Sequence, residues 1–246
     1  SATQNEITST IIGQIILVTL MVTLFTIYLA LFRRDYFNKP RSIAMLYSLI
    51  TLFPVIVAIM MRHNFLSVYI VPFAMVPMFV RVFMDSRTAF ISHVTMLLIC
   101  TIAVRYQYEF IIIQIVAGLI AIYSLRELTR RAQVFKTGIL VAMGSALVYL
   151  ALQMIQDNDF TIMDHDMYYH FVVNGVLLLL AYPLMYIVEK MFGFVSSVTL
   201  FELSNTNRGL LRNLSEIAPG TFQHSITVGN LAAEIANKIG ANSLLV

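Results

Sequence analysis

IIGQIILVTLMVTLFTIYLALF, residues Ile11 to Phe32, is a run of 22 residues without a charge, and its reading decides the fold class. An α-helix rises about 1.5 Å per residue, so about 20 apolar residues cross the ~30 Å hydrocarbon core of a bilayer. Barrel strands would instead show segments of about ten residues with alternating polarity, which this run does not. Outward along the chain come Ser42 to Met61, Phe65 to Val80, Thr88 to Val104, Phe110 to Leu125, Thr137 to Gln156 and Met167 to Val188, uncharged stretches of 20, 16, 17, 16, 20 and 22 residues. The sequence thus predicts an all-α protein whose main part is a polytopic bundle of seven transmembrane helices. The two 16-residue runs can serve because Arg81 can snorkel from one and Glu109 lies at the rim of the other. A further charge-free stretch, Ile217 to Ala233, holds Gln223, His224, Ser225, Thr227 and Asn230. Lipid would leave those groups unpaired, so it does not span.

Composition agrees. Of 246 residues, 59% are hydrophobic and 12% charged, against roughly 45–50% and about 25% in soluble domains. A chain of this size cannot bury that excess internally, so lipid must be its solvent. The lone Cys100 cannot form an internal disulfide and reads as a small buried hydrophobe. The Lys and Arg residues stand at the ends of apolar runs, which makes them topology signals rather than a nucleic-acid surface. Arg33, Arg34, Lys39 and Arg41 follow the first run, Arg81 and Arg87 the third, and Arg126, Arg130, Arg131 and Lys136 the fifth. The alternate loops hold only Arg62 and Arg105. The N-terminus is therefore expected outside and the C-terminus inside. A first span with no basic residue before it is not a cleaved signal. The start at Ser1 rather than Met suggests a piece of a longer chain, with something preceding it outside the cell.

The membrane part holds little chemistry. No carboxylate or lysine lies mid-span, where a transporter would need one. His93, His170 and Asn174 are the nearest candidates, and they read as hydrogen-bonded packing groups. Pro54, Pro72, Pro77 and Pro183 permit kinks. Gly138, Ala142 and Ala146 recur every four residues, as do Ala117 and Ala121, and such small faces let helix backbones approach. Asp157, Asp159, Asp164, His165 and Asp166 gather in one loop but match no calcium-binding spacing, so they read as an acidic outer loop.

Past Val188 charges return. Leu210, Leu211, Leu214 and Ile217 make one apolar stripe that Pro219 and Gly220 end. Thr221 can then cap a second amphipathic helix running to about Ile239, stopped by Gly240, with Val228, Leu231, Ala232, Ile235 and Ile239 on its buried face. His224 lies one turn before Val228 on that face. A core histidine needs a partner, and a hydrogen bond or a metal would serve.

The run Leu200-Phe201-Glu202-Leu203-Ser204-Asn205, then Leu210-Leu211-Arg212, then Ala218-Pro219-Gly220-Thr221-Phe222-Gln223-His224-Ser225, with Asn230-Leu231-Ala232 and Ile239-Gly240-Ala241-Asn242, resembles the membrane-to-catalytic junction of bacterial seven-transmembrane receptors with an intracellular HD hydrolase domain. The specific part covers about 45 residues, as the span of the quoted run shows. The resemblance implies an extracytoplasmic stub at 1–10, a seven-helix module at 11–195, a cytoplasmic connector at 196–219 and the incomplete start of an HD domain at 220–246. It implies a membrane sensor that passes an external signal to a phosphohydrolase of cyclic di-AMP in the bacterial inner membrane. The cofactors it implies are two divalent ions, manganese or iron, in the complete HD domain, with His224 matching the first metal-ligand histidine. Further partners to expect are the lipid bilayer, an extracytoplasmic ligand and a second copy in a homodimer. The adjacent His-Asp pair and the later ligands of that family are absent before Val246, and one histidine cannot hold two ions. This chain alone is therefore expected to bind no metal and to have no catalytic residue. A transporter or channel with a helical cytoplasmic tail is the competing class.

Overall fold

The structure, a computed structural model, describes residues 2–63, 66–125, 132–157, 165–196, 199–200, 203–207, 209–241 and 243–246. These residues form helices and no strand, so the chain is all-α. They divide into two units, the first ending at Phe194 and the second beginning at Val195.

The first unit opens with α1, Ala2–Phe32. Its outward residues include Ile15, Ile16 and Leu31, each about 60% exposed, a surface suited to acyl chains and not to water. After the short α2, Arg34–Phe37, comes α3, Pro40–His63, which continues through Pro54. A 3-10 turn at Val68–Ile70 leads into α4, Met75–Phe83, then α5, Ser86–Cys100, and α6, Gln107–Ser124. The helices α7, Ala132–Asp157, α8, His165–Leu178, and α9, Ala181–Phe192, complete the unit. Phe25, Phe73, Phe110 and Phe171 are fully buried. Phe73 meets Phe110 edge to face at 5.2 Å between ring centres, and Tyr69 meets Phe171 at 6.0 Å. This aromatic cluster seats the turn before α4 against α6 and α8.

Among the described residues, four helices are long and apolar enough to cross a membrane: Asn5–Phe32, Pro40–His63, Gln107–Ser124 and Ala132–Gln156. The pair α8 and α9, bent by 44°, makes a fifth if it is one span. Seven uninterrupted spans are not shown, because the third and fourth expected spans are shorter helices. Pro72 has no N–H to give to a helix, and the Met75 and Val76 amides bond to the Pro72 and Phe73 carbonyls, three residues back. The helix beyond them, α4, has only nine residues and is about 14 Å long at the usual rise. Val76, Met78 and Val80 are wholly buried, so protein rather than lipid surrounds the irregular backbone. The fourth run ends likewise: Ile102 and Ala103 donate to the Ile99 and Cys100 carbonyls, closing α5 in 3-10 geometry.

The seventh run breaks at Leu179 and Leu180 for the same reason. Pro183 cannot donate to the Leu179 carbonyl and its ring crowds it. Leu179 and Leu180 instead donate three residues back, to Val176 and Leu177.

In the second unit α10, Gly209–Ile217, is followed by α11, Pro219–Lys238. The cap differs from expectation: Ala218 holds the N-cap position and Pro219 opens α11, where a missing N–H costs nothing. Thr221 lies inside the helix, its carbonyl accepting from Ser225 Oγ at 2.9 Å. Gly240, at φ +72°, ends the run as expected.

Candidate functional site

His224 sits in the second turn of α11 and is exposed. Val228, Leu231, Ile235 and Ile239, which share its side of the helix, are exposed too, between 50% and 75%. Among the described residues no three His, Cys, Asp or Glu side chains gather as a metal ion would require. These residues alone therefore do not fit a two-metal centre, for which His224 would supply one nitrogen.

The polar groups of the membrane-spanning unit serve to fasten elements. His93 on α5 is wholly buried, and its Nε2 donates to the Gln114 carbonyl of α6 at 2.8 Å. The ring lies where a side chain on Gly118 would have to go, so that glycine makes room for the bond. Nδ1 is then the acceptor nitrogen, buried and without a partner among the described residues. Asn174 of α8 donates through Nδ2 to the Tyr69 and Val71 carbonyls at 3.0 and 2.7 Å, holding the turn that Pro72 interrupts. The Tyr69 hydroxyl donates to Glu109 Oε1 at 2.7 Å, tying the same turn to α6. His170 is half-buried beside the Tyr169 ring. Cys100 is buried against Met96, as a small hydrophobe would be.

At the opposite end, Asp85 accepts from the Thr88 amide at 2.7 Å and from its hydroxyl at 2.9 Å, capping α5. Its Oδ2 lies 2.7 Å from Arg33 Nη2. Burial, then the Asp85 and Asp35 charges, push the nearby Tyr36 hydroxyl up to about 12. The sequence reading missed the Arg33–Asp85 and Tyr69–Glu109 pairs. Asp85 had a local signal as a cap, an Asp three residues before Thr88 at a helix start, but its pairing with Arg33 had none. The second pair joins residues 40 apart and had none.

The small face expected on α7 meets α8 at Gly138 and Ala142. A Cβ on Gly138 would lie 2.7 Å from the Gly175 carbonyl, and one on Gly175 would lie 2.9 Å from Ala142 Cβ. The acidic residues at 158–164 and the basic residues at 126–131 lie outside the described residues, as do Phe201, Glu202, Arg208 and Asn242.

A family model described as a 7TM receptor with intracellular HD hydrolase matches residues 8–196. The chain is 28% identical to the cyclic-di-AMP phosphodiesterase PgpH of Bacillus subtilis over 95% of its own length and 34% of that protein's. It is 29% identical to PgpH of Listeria monocytogenes over 72% of its length and 25% of the relative's. An uncharacterized Synechocystis protein is 33% identical over 56% of the chain and 18% of its own length. The chain thus spans about a third or less of the curated relatives it matches. No solved structure matches it.

Proposed function

The chain belongs to the family of 7TM receptors with an intracellular HD hydrolase, and from that premise we propose that it is the membrane sensor module of a receptor-type cyclic di-AMP phosphodiesterase. The observation that carries the reading is the likeness to PgpH, which covers so much of the chain that it reaches His224 wherever its ends fall. Residues 1–10 are an extracytoplasmic stub, 11–195 the membrane module, 196–219 a cytoplasmic connector and 220–246 the start of the HD domain. The module sits in the bacterial inner membrane with its N-terminus outside. An external signal rearranges its helices, and the connector carries that change to the hydrolase, where His224 is one ligand of a pair of manganese or iron ions. The apolar face of α11 supports this assignment, since its exposed Leu231, Ile235 and Ile239 are what the first helix of a larger helical domain would bury.

The test is hydrolysis of cyclic di-AMP by the complete protein, purified in detergent with manganese. Activity and bound metal are expected, with both lost in His224→Ala while the protein remains folded in the membrane. A folded complete protein without hydrolysis would overturn the enzymatic reading. An active His224→Ala with full metal content would overturn only the site assignment.

A further inference from the structure

A cavity of about 530 Å³ opens at the end of the first unit that carries Ser67, Arg105 and Met167, within the ~300–1,000 Å³ typical of small-molecule sites. Two opposite charges share its wall. Glu109 is half-buried and spends one oxygen on the Tyr69 hydroxyl. Arg105 pairs with no carboxylate among the described residues, and its guanidinium carbon lies 5.7 Å from the centre of the Tyr106 ring. From α7, Gln153 and Gln156 bring amides that make no hydrogen bond among the described residues. The carboxylate with its tyrosine neighbours attracts an ammonium group, while the guanidinium and amides suit an acid. Glu109 repels a lone anion and Arg105 a lone cation. A molecule carrying both charges within a few bonds satisfies both residues at once.

We propose that this cavity binds a compact zwitterion, an acid and an ammonium group on one small skeleton, as in a free amino acid or the phosphoethanolamine headgroup of a lipid. Its use as the signal input rests on the sensor reading above; the binding itself does not.

The chain purified in detergent would be titrated calorimetrically with the neutral L-amino acids and, separately, with glycerophosphoethanolamine, the phosphodiester of the lipid headgroup, which tells the two sources apart. Methylammonium and acetate are the single-charge controls. One zwitterion should bind at least about tenfold more tightly than either single ion. Arg105→Gln, at an exposed position, and Glu109→Gln, which keeps an acceptor for Tyr69, should each weaken it by about tenfold. The proposal falls if neither zwitterion binds, if a single ion binds as tightly, or if both variants bind like the parent. Binding that left cyclic di-AMP hydrolysis by the complete protein unchanged would overturn the cavity's use as the signal input and leave the site standing.

Discussion

Gly175 decides how closely α7 and α8 cross. With a Cβ at 2.9 Å from both the Ala142 side chain and the Gly138 carbonyl, any larger residue must push two backbones apart and forfeit dispersion contacts along the crossing. Gly175→Leu should therefore cost about 1–3 kcal/mol, the usual range for overpacking, and lower the melting temperature in detergent. Gly13, whose added Cβ would meet nothing within 4 Å among the described residues, is the control: Gly13→Ala should leave the melting temperature level or raise it. The spacing of Gly138 and Ala142 was legible in the sequence, but Gly175 has Phe171 and Leu179 four residues to either side and carries no period of its own. Tyr36 sets a second expectation. Its hydroxyl titrates in the folded chain at about 12 rather than near 10, through burial and then the Asp85 and Asp35 charges. A raised value means the neutral form is favoured on folding. Its contribution is fully present below about pH 10 and is lost as pH rises toward about 12. Tyr36→Phe has no hydroxyl to ionise, so parent and variant melting curves compared across that window should show the parent losing stability the variant keeps. Parallel curves would overturn the assignment.

At the scale of elements, α5 owes its start to Asp85, which bonds the first turn and holds Arg33. Removing an N-cap side chain costs about 0.5–2 kcal/mol, whereas a partly exposed ion pair contributes about 0–1 kcal/mol. Asp85→Ala should therefore lower stability clearly more than Asp85→Asn, which keeps an oxygen for the Thr88 amide, as read from thermal unfolding of the purified protein. Equal losses would mean that the Arg33 pair, not the cap, holds the helix. The same element shows why counting uncharged residues overestimates helix length. The runs Phe65 to Val80 and Thr88 to Val104 contain no charge, yet parts of both are turns, because backbone buried in protein needs no continuous helix. Pro72 and Pro183 marked where the chain would bend. What they could not show is that Asn174, distant in sequence, would accept the task of satisfying the carbonyls of the turn before α4.

For the whole membrane unit, the contacts sort its two ends. Arg33 pairs with Asp85, a Cβ on Gly193 would meet Arg41, and the Phe83 and Phe194 rings stack at 5.4 Å. The loops at 33–41 and 81–87 and the chain at 193–194 thus share one end, despite the shortened α4. Tyr69 and Glu109 join at the other, with Arg105 and Met167 around the same cavity. Two of the loops that pattern grouped by charge, 33–41 and 81–87, are ones that packing brings together, and the basic residues at 126–131 lie outside the described residues. Packing does not say which end faces the cytoplasm, and only the bias of basic residues speaks to that. Lys and Arg near span ends are retained on the cytoplasmic side, so the end bearing Arg33, Arg34, Lys39 and Arg41 should lie inside. The native thiol, Cys100, is 1% exposed and should stay silent toward a membrane-impermeant maleimide. Tyr108→Cys, exposed at the opposite end, should label in intact cells, as should Asn158→Cys in the acidic loop. Asn38→Cys, exposed beside α2, should label only after the membrane is opened. Labelling of Asn38→Cys in intact cells, with Tyr108→Cys protected, would invert the topology. It would also place the zwitterion cavity inside the cell, where it could report on a cytoplasmic solute but not on an external one.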